Sequence, residues 1–336
     1  MRTIAETLSP VDEKMQHLRD HPPAGYFRRE QLGPDAAEFY REQGYLVLLD
    51  GLSEQEVEAL CEETVAICRG QRGEIKGREV QIQAGDFDEL SDDEVISKVL
   101  CIHHPDKKSP LLHEALAHES IVDVLTRVIG PNVKCMQSML FIKSAGKPGQ
   151  AWHQDEDYIP TRDRSLAGAW ISMDHATVEN GCLWVIPGSQ KRGILWPQYP
   201  HDDPRFDCAR MAYDFPYDEE RDSVPVEVPR GAIVFFNGYL LHRSLPNQAQ
   251  AGFRRALVNH YMSAESFLPW RYEENVHMAL QDTRDIVMVA GKDPYAYKGK
   301  AEIYGTSIRP AGEGGCGDGR MTLEAYKKQE VAAPAG

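Results

Sequence analysis

The stretch QAWHQDEDYIP, residues 150 to 160, sets a histidine and a carboxylate two positions apart beside bulky apolar groups. In an extended strand alternate side chains share a face, so His153 and Asp155 point the same way and Gln154 points opposite. An imidazole and a carboxylate so placed supply two ligands to one metal ion. A third candidate, His242, closes the apolar run in FFNGYLLHRS. Two histidines and one carboxylate on a β-scaffold, with positions left open, form the facial triad that suits Fe(II) and O2 chemistry. A lone His-x-Asp equally describes a polar surface strand, so the reading rests on the three residues together.

Beyond His242, GFRRALVNHYM opens with two arginines at the start of another strand-like run. A guanidinium presents a planar fork that grips a carboxylate through two hydrogen bonds. Such a group at the back of a pocket would hold the distal carboxylate of 2-oxoglutarate, whose other end would chelate the iron. Alternation puts Arg254 on one face with Ala256, Val258 and His260, and Arg255 on the other. It does not say which face is the inner one.

These residues need a scaffold. From Pro131 onward the chain reads as short β-branched and aromatic runs separated by Gly, Pro and Asn, the pattern of an all-β sandwich or barrel. Before that lie helical segments. One is SEQEVEALCEETVAICRG, where Ser53 and Glu56 make a capping box and Gly70 follows the helix. The expected layout is an N-terminal arm (1–34), a helical region (35–130), a β-core (131–264) and a C-terminal extension (265–336). Within the extension KDPYAYKG is a candidate lid, and residues 309 to 320 are a glycine-rich flexible stretch. Residues 71–109 read as charged and irregular, which makes His103 and His104 members of a solvated loop. His175 and His260 read as structural histidines, Asp157 as too distant to share the ion, and Glu156 as facing away.

Bulk properties bound the function. With 336 residues the chain can bury a large core, and its net charge of −15 argues against a nucleic-acid partner, since phosphate binding needs clustered Lys and Arg. No apolar run is long enough to span a membrane, and MRTIAETLSPVDEKMQHL has no apolar signal core. Seven scattered cysteines with no Cys-x-x-Cys point to reduced thiols in a cytoplasmic protein, not to a zinc site or disulfide framework.

WHQDEDYIP, WISMDHATVENGCLWVIPGSQKRG, FFNGYLLHRSLPN and GFRRAL occur in an order that resembles the phytanoyl-CoA dioxygenase family of Fe(II)/2-oxoglutarate-dependent oxygenases. The resemblance spans roughly residues 35 to 264. It implies a mainly β protein with flanking helices, built on a double-stranded β-helix of the jelly-roll, cupin-like kind. It implies His153, Asp155 and His242 as iron ligands and Arg254 as the 2-oxoglutarate arginine. Ser244, Trp170 and Lys143 resemble residues around the same cosubstrate, and Gln137 shares the alternating face of Lys143. Trp152, Tyr158 and Arg243 are candidates for the substrate pocket. The chain departs from the family at Arg243, where glycine is frequent, and at His175, where a second aspartate is. The presence of Asp155 speaks against halogenase chemistry.

The implied activity is oxidation of an unactivated C–H of a small-molecule metabolite, using Fe(II), 2-oxoglutarate and O2 and releasing succinate and CO2, with ascorbate as a stimulant. Two alternatives compete: a cupin-type metalloenzyme that uses no 2-oxoglutarate, and a non-catalytic protein that binds a metal or 2-oxoglutarate. Against the first, Arg254 and Ser244 would have no evident task.

Overall fold

The computed structural model describes residues 9–77, 89–207, 210–266, 286–298 and 304–310. Ser9 starts helix α1 (Pro10–Asp20) through a reciprocal cap: its hydroxyl accepts from the Asp12 N–H, and the Asp12 carboxylate accepts from the Ser9 N–H. Residues 10–20 of the expected arm are therefore helical. Met15 of α1 is buried, and β1 (Tyr26–Phe27) adds a parallel strand to the sheet. Helix α2 (Pro34–Gln43) ends at Gly44, whose φ of 83° is the left-handed conformation that glycine adopts without steric cost. It turns the chain into β2 (Tyr45–Leu48), and Ser53 and Glu56 cap α3 (Glu54–Cys68) as their spacing implies. Such a cap is worth about 1 kcal/mol.

The region expected to be irregular holds α4 (Asp92–Ser97) and β3 (Val99–His103). Two short helices follow, α5 (Pro110–Ala115) and α6 (Glu119–Val128), with His118 capping the second through Nδ1. The β-core contains β4 (Val133–Ser144), β5 (Gln150–His153), β6 (Ala167–Ser172), β7 (Leu183–Val185), β8 (Gln198–Pro200) and β9 (Arg210–Ala212). A single helical turn, α7 (Glu219–Asp222), precedes β10 (Val224–Val226), β11 (Ile233–Asn237), β12 (His242–Ser244) and β13 (Phe253–Ser263). The extension contributes β14 (Val287–Ala290) and β15 (Ser307–Pro310).

Among the described residues these strands form a large sheet ordered β1-β2-β11-β6-β13-β4-β3-β15, with β14 also paired to β4. A smaller sheet runs β10-β7-β12-β5, and β8 pairs with β9. The two sheets pack face to face, as the jelly-roll expectation requires, and helices cover the outer face of the larger one. Alternation along β13 shows the layering. Leu257 and Tyr261 join the core under the helices, with Leu60, Leu112 and Ile121, whereas Ala256 and Val258 join Val185, Val226 and Trp170 between the sheets. Each such fully buried side chain contributes about 1.5–3 kcal/mol. A slip of one residue would exchange the two faces, so core burial fixes which residues of β13 look inward.

Candidate metal centre and cosubstrate pocket

β5 and β12 are antiparallel neighbours, and His153 lies directly opposite His242. Their ring centroids are 4.1 Å apart. Nδ1 of His153 lies 2.8 Å from the Ala151 carbonyl oxygen, and Nδ1 of His242 lies 2.9 Å from that of Leu240. A carbonyl only accepts, so both rings carry their proton on Nδ1 and present an Nε2 lone pair. Both Nε2 atoms point at one carboxylate oxygen: Asp155 Oδ1 is 3.5 Å from His153 and 3.6 Å from His242. The ligand atoms of the three residues all lie within 4.8 Å of one another, and all three are buried or nearly so. The donor set, two neutral imidazoles and one carboxylate, fits Fe(II).

The expected strand does not reach Asp155. After His153 the chain turns, and Asp155–Asp157 form a single 3₁₀ turn. Gln154 nonetheless faces away, because its amide is consumed elsewhere. Its Nε2 donates to the carbonyls of Ile194 (3.0 Å) and Tyr239 (2.7 Å), and its Oε1 accepts from the Trp196 N–H (2.8 Å). Glu156 is buried away from the triad, with Oε1 accepting from the Thr161 hydroxyl at 2.6 Å, and burial raises its carboxyl to about 7. Asp157 accepts from the Gln198 amide at 2.9 Å and takes no part in the cluster.

His260, read from sequence as structural, lies against the triad: its Nε2 is 2.9 Å from Asp155 Oδ2. Burial opposes ionisation of Asp155, but the facing His242 and His260, the latter also hydrogen-bonded to it, hold its carboxyl well below the usual range. Burial, reinforced by the neighbouring His153, pushes His242 down to about 4, so the ring is neutral and able to ligate near neutral pH. The signal for His260 was present in the sequence, since it shares the β13 face with Arg254.

Between the two arginines the structure is decisive. Arg255 lies on the outer face, where it forms a two-pronged pair with Asp174 at 2.9 and 2.7 Å. Arg254 turns inward, is 4% exposed, and stacks at 5.4 Å over Trp170. Its Nε is buried with no hydrogen-bond partner among the described residues. Lys143 is the cross-strand neighbour of Arg254, and its Nζ donates to Ser244 Oγ at 2.9 Å and to the Leu245 carbonyl at 2.7 Å. Burial, then the charge of Arg254, lowers the Lys143 ammonium well below its usual value, and burial lowers Arg254 to about 10. The unfilled Arg254 donor beside the Lys143 amine has the chemistry to receive a carboxylate.

Triad and cations line one cavity of about 220 Å³. Gln137, Ser244 and Trp170 are also on its wall, and so are Tyr158 and Arg243. Trp152, expected there, is not. Three residues of β12, His242 to Ser244, face four of β5, His153 back to Gln150, so β5 carries an extra residue. His153 and Gln150 both reach the cavity, while Trp152 packs behind it with Ile186, Ala212 and Leu241, under the Arg243 guanidinium at 4.5 Å.

His103 and His104 are corrected too. His103 ends β3 and lines the cavity, where burial lowers it to about 4; His104 is buried and stacks on Tyr304 at 5.5 Å. The extension supplies Arg309 to the wall, paired with Asp207. Of the candidate lid, residues 292–298 are described and none lines the cavity; Tyr295 instead donates to the Glu265 carbonyl at 3.2 Å. Of the glycine-rich stretch 309–320, all beyond residue 310 lies outside the described residues.

Comparison with known proteins agrees with this geometry. The chain is 31% identical to human peroxisomal phytanoyl-CoA dioxygenase over 238 residues, covering 68% of this chain and 67% of that protein. The bovine protein of the same name is 28% identical over 303 residues, covering 83% of this chain and 86% of its own. Among solved structures, the non-heme α-ketoglutarate-dependent carbocyclase SnoK from nogalamycin biosynthesis superposes with a TM-score of 0.52 at 25% identity, covering 73% of this chain and 90% of that one. The non-heme monooxygenase ThoJ shares the fold, with a TM-score of 0.56 at 20% identity over 88% of this chain and 94% of its own. The family described as phytanoyl-CoA dioxygenase (PhyH) matches residues 40–256, well over half the sequence, and the chain belongs to that family.

Proposed function

We propose that the protein is an Fe(II)- and 2-oxoglutarate-dependent dioxygenase that hydroxylates, or otherwise oxidises, an unactivated C–H of a small-molecule metabolite. The observation that carries this reading is one cavity holding a His-Asp-His cluster at one end and the partnerless donor of Arg254 at the other. His153, Asp155 and His242 hold the ion. Arg254 and Lys143 take the distal carboxylate of 2-oxoglutarate, with Ser244 orienting the lysine, while Trp170 braces the guanidinium. Fe(II), 2-oxoglutarate and O2 together supply the oxidising power, with succinate and CO2 as coproducts. The chain's share is to fix the ligands, orient the keto acid and shield the reacting centre from water with an apolar wall.

The substrate class follows from what surrounds the remaining space. The names of the relatives point to an acyl-CoA in one case and a natural product in another. Here the arginines on the cavity wall away from Lys143 are engaged, Arg243 with Glu219 and Arg309 with Asp207. With these two arginines already paired to carboxylates, the described wall suits a compact metabolite better than the phosphates of a coenzyme. About 220 Å³ is also below the ~300–1,000 Å³ usual for ligand pockets.

No helix among the described residues is long and apolar enough to cross a membrane. The five described cysteines are all buried, which supports a reducing, cytoplasmic setting. We read residues 35–264 as the oxygenase domain, with the extension packed on it: β14 and β15 both join the large sheet. The decisive test is anaerobic titration of Fe(II) and 2-oxoglutarate into the apo-protein, following the visible metal-to-ligand charge-transfer band. A band that is lost in Asp155→Ala and weakened in Arg254→Ala is expected. Bound iron with no band would overturn the 2-oxoglutarate reading in favour of a cupin-type enzyme.

A further inference from the structure

His260 is used by neither the ligand set nor the cosubstrate cradle, yet it is 5% exposed and hydrogen-bonded to the metal-site carboxylate. We infer that His260 is a positioning residue: its Nε2–H holds Asp155 Oδ2, leaving Oδ1 as the one oxygen offered to the ion. This rests on the reading of His153, Asp155 and His242 as a metal site.

The two oxygens of Asp155 are in different surroundings. Oδ1 lies 3.5 and 3.6 Å from the Nε2 atoms of His153 and His242, while Oδ2 is 2.9 Å from that of His260. The His260 Nδ1 is buried without a partner among the described residues. An unfilled acceptor costs less than a buried N–H with nothing to donate to, so the proton belongs on Nε2, pointing at Asp155. The anchor is stiff. His260 pairs with Gln137 of β4 on one side and Gly168 of β6 on the other, so β13 is a central strand at this point. Asp155, by contrast, sits on a turn just past a strand end, where nothing in the backbone ladder sets its rotamer. A carboxylate tied by one oxygen fills one coordination position and leaves room for a chelating keto acid and O2. Outer-shell partners of this kind orient ligands and tune affinity.

The test compares His260→Leu with His260→Gln, whose amide can place a donor near the original Nε2. Co(II) is titrated anaerobically into the metal-free full chain, reading both the dissociation constant and the d–d absorption of the bound ion. His260→Leu should weaken Co(II) binding by about 10–100-fold and alter the absorption envelope. His260→Gln should recover affinity to within a few-fold. In an Asp155→Ala background, His260→Leu should cause no further loss. Wild-type affinity in His260→Leu, equal loss in both variants, or full additivity with Asp155→Ala would overturn the proposal. Should His260→Leu fail to fold, His260→Asn, whose shorter amide stops short of Asp155, replaces it with the same expectation. A wild-type protein that takes up no divalent ion would overturn the underlying metal site instead.

Discussion

Arg254 and Lys143 sit opposite each other on β13 and β4, so two buried basic groups face one cavity. The arrangement costs stability in the free protein and is relieved by an anion. Arg254→Ala should therefore weaken 2-oxoglutarate binding by about 1.5–3 kcal/mol, the range for hydrogen bonds to charged groups, while leaving metal affinity near wild type. Isothermal titration with Co(II), and then with 2-oxoglutarate in the presence of Co(II), measures the two affinities.

Arg255→Ala is the matched control. It removes the partner of Asp174 on the outer face, not a cosubstrate ligand. It should lower thermal stability, because a half-buried carboxylate is left unpaired, and leave the 2-oxoglutarate dissociation constant unchanged. A loss of cosubstrate affinity equal to that of Arg254→Ala would refute the assignment of the two faces.

Gly168 makes room for a ligand's neighbour. A Cβ at this position would stand 2.3 Å from the Phe236 ring, which itself packs on His242 at 4.8 Å between centroids. Gly168→Ala should destabilise the fold by about 1–3 kcal/mol through overpacking and weaken metal binding by displacing the His242 ring. Differential scanning calorimetry and metal titration of the same variant test the two effects.

His103 and His242 give the metal-free protein an acid limit. Both are lowered by burial to about 4, from 6.5. As pH falls below 6.5 the unfolded chain takes up protons that the folded chain refuses, so stability drops with falling pH down to about 4. His103→Gln should remove up to about 3 kcal/mol of that pH-dependent loss while changing little above pH 7. Urea unfolding of the apo-protein across this range would show a shallower slope for the variant.

How much of this was legible in the sequence depended on whether neighbours along the chain decide the answer. The capping residues Ser53 and Glu56 act within one turn, and their helix begins where the spacing implies. The triad was legible because its residue types are rare in combination. The expected strand stops at His153 because a 3₁₀ turn carries Asp155, and Gln150 joins His153 on the cavity wall because β5 carries an extra residue opposite β12. The inward face of β13 was undecided until Leu257 and Tyr261 were seen under the helices. His103 looked solvated because its sequence neighbours are charged, whereas β4 and β15, distant in sequence, flank its strand on either side.

The pairing of His153 with His242 reaches beyond ligation. β5 is the last strand of the smaller sheet, where its strand neighbour among the described residues is β12. An ion shared by the two strands would act as a rivet, closing a long loop of chain at the point where the sheet has no further neighbour. Cross-links that close long loops restrict the unfolded chain most. Loss of the ion should then be felt as fraying of one sheet edge, with amide hydrogens of β5 exchanging sooner than those of β13, so a bound cation would hold the sandwich shut as well as serve its chemistry.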